Sequence, residues 1–111
     1  MQDKFRLKKN EDFKELIDRK QFIVNDSFTV YFFKNNLGYS RFGIGVGKKN
    51  GNAVERNKLK RQIRMMVSKT FAYNKSIDYL IMVRKGYTKK TFAQNLEELQ
   101  KINQKIDKRG V

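Results

Sequence analysis

The chain has 111 residues, no cysteine, no histidine and a net charge of +15, from 26 Lys and Arg against 11 Asp and Glu. This length predicts a single domain over residues 1–111, and the lack of cysteine excludes disulfides and thiol chemistry and agrees with a reducing cytoplasm. No apolar run approaches the roughly 20 residues that cross a bilayer, and the N-terminus lacks the apolar segment of a signal peptide. The charge exceeds the magnitude of roughly 2 to 8 that suits solubility, so we expect a nucleic-acid partner. An anionic membrane surface is the less favoured alternative, because the basic segment lacks a Trp- or Phe-rich face.

The first predicted element is a short helix with an apolar edge of Phe13, Leu16 and Ile17, for which Asn10 is the expected N-cap. Its polar side carries four acids: Glu11, Asp12, Glu15 and Asp18. Such a cluster could hold Mg²⁺, but acids near a helix start also suit the positive end of the helix dipole, and we favour this structural interpretation. Without histidine or cysteine, the chain lacks the commonest general base and zinc ligands, so we predict no catalytic residue and no metal site on the polypeptide.

Two strands with alternating side chains follow at residues 27–33 and 41–47, joined by a turn at residues 35–40, and a further short strand is predicted near residues 22–24. In the first strand, Phe28, Val30 and Phe32 are expected to face the core. In the second, Phe42, Ile44 and Val46 are expected to face one side. The opposite side carries three glycines, which predict the close approach of another element: Gly43, Gly45 and Gly47.

Residues 77–84 form a nearly continuous apolar run, which predicts a central strand buried on both faces. Gly86 marks its end, and Thr88 or Thr91 is the expected cap of a last helix. The apolar side of that helix consists of Phe92, Leu96, Leu99, Ile102 and Ile106. Residues 107–111 are expected to fray. The predicted class is α+β, with the order α-β-β-(β)-α-β-α when the short strand is included.

The most informative segment is residues 48–64, KKNGNAVERNKLKRQIR, with seven basic residues against one acid, Glu55. Asn52 is the expected N-cap of a helix running to about Ala72, and Glu55 completes a capping box. At about 100° per residue, one arc of this helix carries Asn57, Lys60, Arg61 and Arg64. Another arc carries Leu59, Ile63, Met66, Val67 and Thr70. The helix is therefore predicted to pack on one side and to present the other to a polyanion.

These residues resemble the signature of the bacterial ribonuclease P protein component, K-K-x-G-N-A-V-x-R-N-x-x-K-R-x-x-R, with every fixed position present from Lys48 to Arg64. The stretch RLKKNEDF, the strand ending in Tyr31, the apolar strand ending in Val83 and Arg84, and the total length are also similar. A motif of this length is far more specific than a generic basic cluster.

The resemblance implies an α/β sandwich of the type named after domain 2 of ribosomal protein S5, with a left-handed strand-helix-strand crossover. It also implies a subunit of a ribonucleoprotein endonuclease that removes the 5′ leader from precursor tRNA in the bacterial cytoplasm. In that family the RNA subunit is the catalyst. Mg²⁺ is held mainly by that RNA, and the protein itself holds no cofactor and takes no small-molecule substrate.

Site residues follow from the resemblance position by position. The expected contacts with the catalytic RNA are Lys48, Lys49, Asn52, Arg56, Asn57, Lys58, Lys60, Arg61 and Arg64. The expected leader groove consists of Phe13, Ile17, Thr29, Tyr31, Lys60 and Arg64. Aromatic rings beside a basic groove suit unpaired RNA, because bases stack on them whatever the sequence. For Phe13, ordinary core packing is an equally good interpretation.

Two positions depart from the pattern. Ile17 stands where relatives often carry a second aromatic residue, and Gly47 stands where a serine is common. Two other hypotheses compete with the favoured one: a non-catalytic RNA-binding protein such as a small ribosomal protein, and a protein-only nuclease that uses the acids of residues 11–18 with Mg²⁺.

Overall fold

Three helices and four strands are present in residues 1–110, the part of the chain that the computed structural model describes. The helices are α1 (Asn10–Asp18), α2 (Ala53–Thr70) and α3 (Phe92–Lys108), and the strands are β1 (Phe22–Val24), β2 (Phe28–Lys34), β3 (Arg41–Gly45) and β4 (Ile77–Val83). The order α1-β1-β2-β3-α2-β4-α3 confirms the predicted order, including the short strand at residues 22–24. None of these helices is both long and apolar enough to span a bilayer.

The strands form one sheet in the order β1-β2-β4-β3. β1 pairs with β2, and β2 with β4, in antiparallel register, whereas β3 runs parallel to β4. β4 therefore lies in the interior of the sheet, as its apolar sequence predicted. The parallel pair requires a crossover, and α2 supplies it.

The main core lies between one face of the sheet and the helices α2 and α3. As predicted, Phe28, Val30 and Phe32 of β2 point into it, and Ile44 and Val46 pack against it beside the buried Phe42. The helices contribute Ile63, Met66 and Val67 from α2 and Leu99, Ile102 and Ile106 from α3. The predicted inner face of α2 is therefore confirmed, and so is that of α3 at Leu96, Leu99, Ile102 and Ile106. The prediction was wrong for Phe92, which lies in the first turn of α3 and is 37% exposed.

The opposite face of the sheet is covered in part by α1, which buries Leu16 against Leu7 and Leu80. A Cβ built on Gly43 would come within 2.5 Å of Cε1 of Phe13, so the predicted close approach is confirmed at this glycine. The same test at Gly45 gives an ordinary contact of 3.4 Å with Met82. The prediction was wrong for Gly47, because β3 ends at Gly45 and an added Cβ at Gly47 would meet only Nδ2 of Asn50, at 4.0 Å.

Several predicted ends of helices needed correction. Asn10 is the first residue of α1 and not its cap; Lys9 precedes it with extended backbone and no capping side-chain bond. α2 ends at Thr70, short of Ala72, because the buried Phe71 turns into extended backbone. Thr91, not Thr88, caps α3, in a reciprocal capping box with Gln94. α3 extends to Lys108 and so overlaps the predicted frayed tail, of which Val111 lies outside the described residues.

Candidate nucleic-acid interface

The start of α2 is fixed by local hydrogen bonds. The side chain of Asn52 accepts from the backbone N–H of Glu55 at 2.9 Å, and the Glu55 carboxylate accepts from the backbone N–H of Asn52 at 3.2 Å. This is the capping box that the sequence predicted, and it occupies the one acid of the motif. Further along, the hydroxyl of the buried Tyr87 donates to Gln62 at 2.9 Å, and burial raises the pKa of Tyr87 to about 12. The capping box fixes where α2 begins, and the Tyr87–Gln62 bond ties the helix to the segment that follows β4.

The outer side of α2 is basic and unpaired. Asn57, Lys58 and Arg61 are exposed, whereas Arg56, Lys60 and Arg64 are half-buried along its flank. Within residues 1–110, none of these cations has a carboxylate within 4.0 Å. The same helix exposes two large apolar side chains, Val54 and Met65. A surface with this composition suits RNA, because arginine and lysine bind phosphate and the apolar groups can pack on sugars and bases.

A recess of about 270 Å³ lies where α2 meets the N-terminal segment. Its cationic groups are those of Arg6, Lys8, Lys60 and Arg64, and Phe13 forms part of its wall. Burial, and then the neighbouring charges of Arg6 and Arg61, lower the pKa of Arg64. The cationic side chains in this half-buried recess repel one another, and an anion such as a phosphate reduces that repulsion when it binds there.

The predicted leader-groove residues fall into two connected patches. Phe13, Ile17, Thr29 and Tyr31 all lie on the α1 side of the sheet; Ile17 is 38% exposed, and the other three are half-buried. Lys60 and Arg64 instead line the basic recess together with Phe13, at the β3 edge of the sheet. Thr29 and Tyr31 lie on β2, which β4 separates from β3. Phe13 therefore belongs to both patches, with its ring over Gly43 and packed against the cluster of Leu7, Leu16 and Leu80.

A second concave basic surface, of about 820 Å³, lies at the carboxyl ends of the parallel strands β3 and β4. The expected contact Lys49 lines it, and Lys48 belongs to the same short 3₁₀ turn, Lys48–Asn50. Arg84 and Lys85 line the other side, and the sequence analysis did not identify them or Arg6 and Lys8 as site residues. A signal for Arg84 and Lys85 was present, because they directly follow the predicted central strand, and parallel strands bring their carboxyl ends to the same edge.

Comparison with known proteins decides the family. The Ribonuclease P family model matches residues 1–107. The chain belongs to the ribonuclease P protein family. The ribonuclease P protein component of Mesoplasma florum is 45% identical over 104 residues, which cover 92% of this chain and 94% of that protein. That of Mycoplasma mycoides subsp. mycoides is 42% identical, with 96% and 99% covered.

Solved ribonuclease P proteins share the fold. The Staphylococcus aureus protein matches with a TM-score of 0.78 at 35% identity, covering 94% of this chain and 95% of that one. The Thermotoga maritima protein matches with a TM-score of 0.76 at 30% identity, covering 89% and 96%. The family and the fold class implied by the sequence resemblance are therefore confirmed, and the chain is placed in a tRNA-processing ribonucleoprotein. The handedness of the β3-α2-β4 crossover stays a prediction.

The acids of α1 do not converge in this ribonuclease P protein. Glu15 accepts a hydrogen bond from Arg19 at 2.7 Å on the exposed side of the helix. Asp12 is half-buried, and its charge acts on Arg41. The pKa of Arg41 is raised chiefly by its hydrogen bonds to Asp78, and also by the charges of Asp78 and Asp12. Within the described residues, no three acidic side chains are placed to hold a metal ion together. The acids of α1 that the structure describes therefore do not fit a protein-held Mg²⁺ site.

Proposed function

We propose that this chain is the protein subunit of a bacterial ribonuclease P holoenzyme acting in the cytoplasm. In this proposal it binds the catalytic RNA through α2 and the single-stranded 5′ leader of precursor tRNA through the face beside α1. The holoenzyme then removes the leader by endonucleolytic cleavage, which gives the mature 5′ end. The observation that carries the proposal is the unpaired basic side of α2, formed by the fixed positions of the family motif.

The chemistry of each side chain on α2 indicates which part of the RNA it contacts. Arg56, Arg61 and Arg64 offer planar donor pairs to phosphate oxygens, and Lys60 offers a compact charge. Asn57 is neutral and can both donate and accept, so it suits a ribose or a base edge. Each contact positions RNA and moves no proton. The hydrolytic chemistry belongs to Mg²⁺ held by the RNA subunit, and the protein steadies that RNA by neutralising its phosphates.

Leader recognition depends on a different kind of contact. The ring of Phe13 is held over Gly43, and Tyr31 is half-buried on the same face of the sheet. An aromatic ring gains about 1–3 kcal/mol from stacking on an unpaired base, whatever the base is. A subunit that serves many precursor tRNAs needs this tolerance, because their leaders differ in sequence.

The RNA that co-purifies with the protein tests this proposal against the ribosomal-protein alternative. A tagged chain should capture one abundant RNA of a few hundred nucleotides together with precursor tRNA. A matched variant with Lys60, Arg61 and Arg64 replaced by Gln should lose both. Recovery of ribosomal RNA in their place would contradict the proposal. The protein-only nuclease alternative predicts cleavage without RNA that Glu15→Ala abolishes.

A further inference from the structure

Phe22 is a large aromatic side chain left open on the edge strand of the sheet. The chain has nine phenylalanines, and the two with the largest exposed fractions are Phe22, at 42%, and Phe92, at 37%. Phe22 lies directly opposite Tyr31 in the β1–β2 register, and its neighbour Ile23 is buried in the main core. Phe22 and Tyr31 therefore lie on the same side of the sheet, the side that α1 covers only in part.

The two rings form a pair that is open to solvent. Their centroids are 5.3 Å apart and their planes are tilted by 48°, so both present apolar surface to one region above the sheet. The next pair along the sheet in the adjacent row is Val24 and Thr29, which are small. Further across that row, Met82 of β4 pairs with Thr29 and separates it from Gly45. The small side chains of Val24 and Thr29 therefore leave room directly beside the two rings for a flat group, and Met82 borders that space on the β4 side.

Positive charge lies close to this ring pair. Phe33 follows Tyr31 by two residues on the same face of β2, and the guanidinium carbon of Arg19 lies 3.9 Å from the centroid of its ring. Arg19 also pairs with Glu15, but both side chains are exposed, and such pairs contribute little and exchange readily. A nucleotide has a flat base that can stack on the rings of Phe22 and Tyr31 and a phosphate that can pair with Arg19. With a chain charge of +15, unpaired RNA fits this surface better than an apolar protein face does.

We propose that Phe22 and Tyr31 together form a stacking site for an unpaired base of the leader, with Phe22 as a second ring contributed by β1. This inference rests on the proposed function and deepens it. Phe13, the aromatic residue of α1, lies over Gly43 of β3, at the opposite edge of the sheet from β1. The aromatic surface next to Tyr31 on the β1 side therefore comes from Phe22. Binding here selects for a single-stranded leader and is indifferent to its sequence, because every base has a stacking face.

The test uses the holoenzyme reconstituted with its RNA subunit and precursor tRNAs carrying 2-aminopurine at successive leader positions. The wild type should quench the fluorescence at one position. Phe22→Leu, which keeps apolar bulk but removes the ring, should restore that fluorescence and weaken precursor binding by about fivefold or more, with mature tRNA unchanged. Phe22→Trp should retain both the quenching and the affinity. Phe92→Leu, at the other exposed phenylalanine, should behave as wild type.

The outcomes separate this inference from the proposed function. If the wild type cleaves precursor tRNA and Phe22→Leu matches it in quenching and in affinity, the stacking site is wrong and the proposed function stands. If Phe22→Leu instead changes only the sedimentation of the free protein, the exposed ring belongs to a contact between two copies, and the stacking site is likewise wrong. If the wild type supports no cleavage with the RNA subunit, the proposed function fails.

Discussion

Phe13 lies directly over Gly43, so closely that a Cβ on the glycine would come within 2.5 Å of the ring. The ring also packs against the cluster of Leu7, Leu16 and Leu80, and Phe13 is the side chain shared by the basic recess and the groove beside α1. This contact sets the distance between α1 and the sheet. The width of the proposed leader groove therefore depends on a residue without a side chain.

Gly43→Ala should displace Phe13 and with it α1. We expect a loss of about 1–3 kcal/mol in the free energy of unfolding, because the added methyl group overfills a packed contact. Urea denaturation measures that loss, and a binding assay with precursor tRNA should show weaker leader recognition. Gly45→Ala is the matched control, since its Cβ would meet Met82 at an ordinary 3.4 Å. Equal effects of the two substitutions would show that Phe13 does not depend on Gly43.

Tyr31→Ala should weaken the binding of precursor tRNA to the holoenzyme much more than the binding of mature tRNA. The expected loss is about 1–3 kcal/mol, the contribution of one base stacked on one ring. Tyr39→Ala is the control, because Tyr39 is also half-buried but packs beside Phe5, away from α1. Equal losses for precursor and mature tRNA in the Tyr31 variant would mean that this ring does not face the leader.

The salt dependence of leader binding counts the phosphates that the protein neutralises. With about six contacts, the log–log slope should be near −4, from about −0.7 per contact on a single strand. Replacing Lys60 and Arg64 together by Gln should make the slope less steep by about 1.4. Lys69→Gln, at an exposed position in the last turn of α2, should leave it unchanged. A flat salt response of the wild type would rule out the electrostatic account.

We expect Arg64 to destabilise the folded free protein although it contributes to RNA binding. Its pKa is lowered first by burial and then by the charges of Arg6 and Arg61, so its charged form is disfavoured in the folded state at neutral pH. Arg64→Gln should therefore raise the free energy of unfolding at low salt, and added sulfate should reduce the difference. Lys69→Gln serves as the charge-matched control. If Arg64→Gln instead lowers the free energy of unfolding at low salt, the packing of the aliphatic part of Arg64 contributes more than its repulsion with Arg6 and Arg61 costs.

The parts of the fold that depend on neighbours in sequence could be predicted. The capping box of Asn52 and Glu55 is a three-residue relationship, and the inner face of α2 follows from helical periodicity alone. The three glycines of residues 43–47 predicted a close approach, but the sequence did not show that Phe13 is the partner or that only Gly43 is involved. That choice depends on where α1 crosses the sheet.

The missed parts of the site depend on long-range pairing. Arg6 joins the recess because the N-terminal segment runs along β3, where the N–H of Leu7 donates to the carbonyl of Phe42 at 2.9 Å. Phe22 is open because it lies on an edge strand of three residues whose register with β2 sets its face. No local pattern at residues 1–8 or 20–24 carries this information.

Cleavage of precursor tRNA at low Mg²⁺ tests the central claim most directly. The reaction is measured with the RNA subunit alone, with the protein alone, with both, and with the RNA and the variant altered at Lys60, Arg61 and Arg64. We predict that the protein alone cleaves nothing, that the RNA alone is slow, and that the two together cleave fast, whereas the variant restores little of that rate. Cleavage by the protein alone, or no gain when the protein is added to the RNA, would contradict the claim.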